Sequence, residues 1–344
     1  MNPAQTYHHA ETFELERGGR LPALDIAYHT YGELNAMGNN VIWVMHHLTA
    51  NSDVADWWSV LFGEGKLLDP SRHFIVCANN LGSCYGTTGP SSLNPETGQP
   101  YLDTFPPITI RDIVHAHRLL KDHLGIRKIH TAIGGSMGGY QVLEWNSMEP
   151  GLFGCNILLA TNAKETSWAI GVHETQRMAI ELDPNWKKGN IGDAAQGLSL
   201  ARAIGMLTYR SFEIFKQAQT DDDDRLDNFK ASSYLRYQGD KLVKRYNAYS
   251  YWVLTHAMDS HNLGRGRASI ETTLATITAP TLIMGINSDI LCPVSEQQYL
   301  ADHMPNATLE TIDSTYGHDG FMVESDQIQQ KAQAFFKKLS TLPG

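Results

Sequence analysis

The chain has 344 residues, 42% of them hydrophobic and 19% charged, enough apolar content for a large core and too little charge for disorder. The 27 lysines and arginines stand against 37 aspartates and glutamates, a net charge of −10 with no long basic cluster, which argues against nucleic acid or an anionic membrane as the main partner. No apolar run approaches the roughly 20 residues of a membrane helix, and the N-terminal "MNPAQTYHHAETFELERGG" lacks a signal-peptide pattern. The four scattered cysteines read as free thiols, so a cytoplasmic location is expected.

In chain order, short apolar runs mark buried strands at 41–47 (VIWVMHH), 73–80 (HFIVCANN), 128–135 (KIHTAIGG), 156–161 (NILLAT) and 280–286 (PTLIMGI). A last strand is expected at 307–313 (ATLETID). Helical stretches at 110–123 and 137–148 alternate with them, the signature of a doubly wound, mostly parallel sheet. The alternation then breaks. Residues 164–277 carry no convincing strand but show helical stretches at 166–182, 193–209 and 228–259, with an acidic run (DDDD, 221–224) that reads as a solvated loop. A closing helix is expected over 325–340. The predicted organisation is a core of 1–163 and 278–344 with a helical lid inserted at 164–277.

At 132–145 the chain reads "AIGGSMGGYQVLEW". Gly134-Gly135-Ser136-Met137-Gly138 fits G-x-S-x-G, a strand-to-helix turn that presents a serine hydroxyl at the top of the sheet. The alternative is a glycine-rich connection with an idle serine. A serine needs a base to take its proton and an acid to orient that base, and in this fold the chain order is Ser, Asp or Glu, then His. "INSDILCP" puts Asp289 just past a predicted strand, and "STYGHDGFM" puts His318 in a loop after the last one. Two backbone N–H groups must also face the developing oxyanion. Met137, after the serine, and Leu48, in "HHLTANSD", are the candidates. The remaining histidines lack partners at ligand spacing, and no metal site is expected; His115 and His117, two apart on a helix, do not share a face.

These residues resemble the homoserine O-acetyltransferase family of the α/β-hydrolase superfamily, from "LDIAYHTYGELN" (24–35) to "GHDGF" (317–321). The most specific stretch is "NNLGSCYGTTGPSSLNPETGQPYLDTFPPITIRDIV" (79–114); "LTYRS" (207–211), "AMDSHNLGRGR" (257–267) and "NSDILCP" (287–293) also resemble family motifs. The resemblance implies an α/β-hydrolase fold and a ping-pong acyl transfer from a coenzyme A thioester, acetyl or succinyl, to L-homoserine in methionine biosynthesis, with no permanently bound cofactor. Ser136 is then the nucleophile, His318 the base and Asp289 its orienting acid. It also implies that Arg210 holds the acceptor's carboxylate and Asp319 its ammonium, and that the lid forms a homodimer interface. Departures fall near the acceptor pocket: Ala50 where the family usually has glycine, Tyr140 where methionine is common, and "FEIFKQAQTDDDD" after the Tyr-Arg-Ser. They leave two acceptors open, an amino acid hydroxyl or, in an esterase or thioesterase, water.

Overall fold

The computed structural model describes residues 3–341; the outermost limits of the expected core, 1 and 344, lie outside the described residues. Its frame is an eight-stranded sheet of β1 (Gln5–His9), β2 (Leu24–Tyr31), β3 (Val41–Met45), β4 (Phe74–Ala78), β5 (Ile129–Gly135), β6 (Phe153–Leu159), β7 (Thr281–Ile286) and β8 (Ala307–Ile312). The spatial order is β1-β2-β4-β3-β5-β6-β7-β8. β2 pairs antiparallel with β1 and β4, and every later pairing is parallel. β3 is buried on both faces, with Trp43 and Met45 in one core and Ile42 and Val44 in the other. That is why it reads as a continuous apolar run rather than an alternation.

Helices α1 (Ile110–His123), α2 (Met137–Met148), α9 (Val294–His303) and α10 (Ser325–Thr341) cover the sheet. Thr109 and Asp112 form a reciprocal capping box that starts α1. Between β6 and β7 lie α3 (Ser167–Glu181), α4 (Ala195–Tyr209), α5 (Phe212–Gln219), α6 (Lys230–Val243), α7 (Ala248–Asp259) and α8 (Ile270–Ala275). The single helix expected over 228–259 is therefore two, α6 and α7. Asn247 leaves helical geometry (φ −114°, ψ 156°) and its side chain accepts from Ser250 N at 2.8 Å, so a local cap breaks the run. The acidic run sits in the α5–α6 loop, where Asp222 and Asp223 pair with Lys230 and Arg225. Among the described residues no helix is long and apolar enough to cross a membrane.

Candidate active site

Ser136 sits between β5 and α2 with φ 53° and ψ −126°, a backbone region costing about 1–3 kcal/mol for a residue with a side chain. Its neighbours hold it there. Ser136 N donates to Leu159 O at 2.9 Å, and Ser136 O accepts from Gly139 N (2.8 Å) and from the Thr161 hydroxyl (3.0 Å). A Cβ on Gly134 would overlap the Gly138 main chain, and one on Gly138 would overlap the Met45 carbonyl of β3. The glycines are thus the condition for bringing strand, turn and helix this close, and the geometry is that of the strained serine turn rather than a loose connection.

Asp289 follows β7. Its Oδ1 accepts from Leu291 N (2.8 Å) and Cys292 N (2.9 Å), which leaves Oδ2 for His318 Nδ1 at 2.7 Å. A carboxylate so held only accepts, so Nδ1 of His318 carries the proton and Nε2 keeps a lone pair. Burial alone would lower this histidine, but the Asp289 carboxylate, with help from Asp319, outweighs it and holds the imidazole above its ordinary 6.5. The loop bearing His318 packs directly on the end of α4. At Gly317 (φ 67°) a Cβ would lie 2.7 Å from Ser211 N and 2.9 Å from Tyr209 O. Cys292 Sγ gathers with Asp289 and His318 donor atoms within 4.8 Å of one another. This is a poor metal cradle, because the Asp289 oxygens are already engaged and burial, then the Asp289 charge, keeps the thiol protonated.

Ser136, His318 and Asp319 line one cavity under the helical insertion, together with Leu48, Arg202 and Tyr209. Leu48 lies just past β3, and among the described residues neither its N–H nor that of Met137 donates to a protein acceptor. The loop carrying Leu48 is tied from the opposite side: Tyr246 Oη donates to Leu48 O (3.0 Å) and Arg245 Nη1 to Thr49 O (2.5 Å). Burial pushes His47, also on the cavity wall, well below the usual imidazole value, and His46 behind it to about 4. His117 is enclosed between Trp43 and Trp145 and is pushed down to about 3, a core residue rather than a ligand.

Arg210 is placed differently from the sequence expectation. It is not on the cavity wall; its Nε lies 3.0 Å from Asp319 Oδ2 and its guanidinium 5.4 Å from the Tyr316 ring centre. The arginine on the wall is Arg202, whose guanidinium stands 5.4 Å from the Tyr209 ring. Seven residues are two helical turns, so Arg202 and Tyr209 share a face of α4, whereas residue 210 falls outside it. Arg202 and the cavity-lining His173 were not marked by the sequence; the seven-residue spacing from Arg202 to Tyr209, inside LTYRS, was the one visible signal for the first, and His173 had none. Burial raises Asp319, against the opposing pull of Arg210 and Arg202.

The alpha/beta hydrolase fold family matches residues 40–325. A homoserine O-acetyltransferase of Cyclobacterium marinum is 47% identical over 96% of this chain and 95% of its own, and one of Chlorobaculum parvum is 47% identical over 96% and 93%. Among solved structures, esterase E22 superposes with a TM-score of 0.87 at 26% identity, covering 97% of this chain and 99% of its own. The chain belongs to the homoserine O-acetyltransferase family within the α/β hydrolases and is an acyltransferase.

Proposed function

We propose that the protein transfers an acyl group from a coenzyme A thioester to the side-chain hydroxyl of L-homoserine, a step of methionine biosynthesis, through an acyl-Ser136 intermediate. The observation that carries this is the company kept in one cavity. Ser136 and His318 suit acyl transfer, and Arg202 and Asp319 on the same wall suit the carboxylate and ammonium of an amino acid. Arg202 takes the carboxylate role in place of Arg210, which braces Asp319.

In the first half-reaction Ser136 Oγ attacks the thioester carbonyl while His318 Nε2 takes its proton. The N–H groups of Leu48 and Met137 receive the oxyanion, and the coenzyme A thiolate leaves with the proton from His318. In the second, the homoserine hydroxyl gives its proton to His318 and attacks the acyl-serine, and Ser136 recovers the proton as the ester departs. The acyl-CoA, acetyl or succinyl, is a consumed substrate, and the protein holds no resident cofactor. Support for a homodimer comes from exposed apolar side chains on the insertion: Trp168, Met178, Leu182, Leu200, Leu207 and Phe212. Free cysteines and small-molecule substrates accord with a cytoplasmic enzyme that engages neither nucleic acid nor membrane.

The second reading, an esterase, rests on the fold shared with esterase E22. Its acylation half is the same, and only the attacking group differs. Thiol release from acetyl-CoA, followed with and without L-homoserine, separates the two. We expect homoserine to accelerate release and O-acyl homoserine to accumulate one for one with thiol. Release that ignores homoserine and yields acetate overturns the transferase reading.

A further inference from the structure

Besides His318 and His47, a third imidazole lines the catalytic cavity. His173, on α3 and 2% exposed, has its Nδ1 2.7 Å from Asp259 Oδ1, and the other oxygen of Asp259 takes Nη2 of Arg177 at 2.5 Å. Arg177 is itself buried and also holds Glu174. Asp259, clamped between a guanidinium and an imidazole, accepts from both, so Nδ1 of His173 carries a proton. Nε2 points the opposite way in the ring plane. Among the described residues it has no hydrogen-bond partner, yet it is not among the side-chain atoms sealed from solvent. The ring lines the same cavity as Ser136, His318, Arg202 and Asp319.

We propose that His173 is a specificity-determining residue for the acyl acceptor, with its Nε2 accepting a hydrogen bond from the acceptor's α-ammonium; this rests on the amino acid acceptor proposed above. The donor–acceptor balance of the wall points there. Arg202 offers only donors and suits a carboxylate. An ammonium brings three N–H donors into a space where Asp319 has one oxygen already beside Arg210. An imidazole that carries its proton on Nδ1 offers the Nε2 lone pair as a further acceptor without adding charge. The Asp259–Arg177 pair fixes which nitrogen faces the cavity, the part an outer partner plays for any functional histidine.

The test uses two variants. His173→Asn keeps a nitrogen near the Nδ1 position for Asp259 and deletes Nε2, while His173→Gln carries its amide to where Nε2 stood. We expect the Asn variant to raise KM for L-homoserine about tenfold, much more than it slows thiol release in the acceptor's absence, and the Gln variant to restore most of the loss. With 4-hydroxybutanoate, which lacks the ammonium, the Asn variant and the parent should have similar kcat/KM. An unchanged KM for homoserine in the Asn variant overturns the proposal, as does an equal loss on 4-hydroxybutanoate. If homoserine fails to accelerate thiol release in the unaltered protein, the acceptor assignment itself fails, a result distinct from loss of this one contact.

Discussion

Arg202 and Arg210 make opposite predictions for the same substrate group. Arg202 is the one arginine or lysine among the described residues lining the cavity, so Arg202→Ala leaves a bound carboxylate without a cationic partner. Removing one member of a buried charge-assisted pair costs about 2–5 kcal/mol, and 3 kcal/mol corresponds to roughly a hundredfold in the acceptor KM. Arg202→Lys keeps the charge but loses the planar fork, and should fall between, near tenfold. Arg210→Ala acts through Asp319. Arg210, 24% exposed and 3.0 Å from that carboxylate, opposes the upward drift that burial imposes on it. Without Arg210, Asp319 protonates at higher pH and holds an ammonium less well in mildly acidic solution, so this variant's acceptor KM should approach the parent's as pH rises. The assay is steady-state thiol release at saturating acetyl-CoA with varied L-homoserine, repeated across pH. A hundredfold, pH-independent rise in KM for Arg210→Ala, with Arg202→Ala near the parent, would refute the placement and restore Arg210 as the carboxylate partner.

Two further outcomes follow from the geometry. His318 must be neutral to act as a base, and its value is held above 6.5, so the acidic limb of kcat/KM for acetyl-CoA should lie above pH 6.5, and Asp289→Asn should lower both the limb and, by about three to four orders of magnitude, the plateau. A limb at or below pH 6.5 in the unaltered protein counts against Asp289 as the group that raises His318. Light scattering should give twice the 38.3 kDa chain mass, and Leu207→Asp with Phe212→Asp should halve it, whereas a parent that is already monomeric at micromolar concentration removes the insertion as a dimer surface.

The strands that position the site were readable because they are buried on both faces, so that "VIWVM" and "TLIMGI" stand out without knowledge of neighbours. β1 was not readable for the opposite reason: "QTYHH" is a polar, largely exposed edge strand, and only its pairing with β2 makes it a strand. Ser136, Asp289 and His318 were legible because each follows a strand, and the C-terminal edge of a parallel sheet brings such residues together whatever lies between them. Arg202 was not, because a helix offers several faces and the one that meets the cavity depends on packing between helices. Here Gln176 Nε2 of α3 donates to Ala201 O of α4 at 3.2 Å, and that contact helps set the face of α4 turned to the site. The break between α6 and α7 was hidden for a related reason. Lys244–Asn247 contains no glycine or proline, and Asn247 ends the run only by capping the next helix.

The ties that run from the helical insertion to loops of the core include Tyr246 Oη to Leu48 O, Arg245 Nη1 to Thr49 O, the Ser211 hydroxyl to Thr315 O, and Arg210 to Asp319. Each lands on a residue of the proposed reaction or within three positions of one, since Thr315 precedes His318 by three and Asp319 follows it. These bonds restrain the loop just after the Leu48 N–H, whose own peptide plane is held by His47 O accepting from Ala50 N at 3.2 Å. In the proposed mechanism the insertion therefore supports acylation as well as walling the acceptor pocket, and a displacement that opened the pocket would loosen the Leu48 loop and the His318 loop together. Acyl transfer to an amino acid rather than water benefits from that linkage, because an acyl-serine is vulnerable to hydrolysis whenever the cavity is open. The fold that supports this linkage is shared with an esterase at a TM-score of 0.87. On the proposed reading, what separates the two activities lies in the side chains on the wall, with Arg202 and Asp319 to hold an acceptor and His173 to read its ammonium.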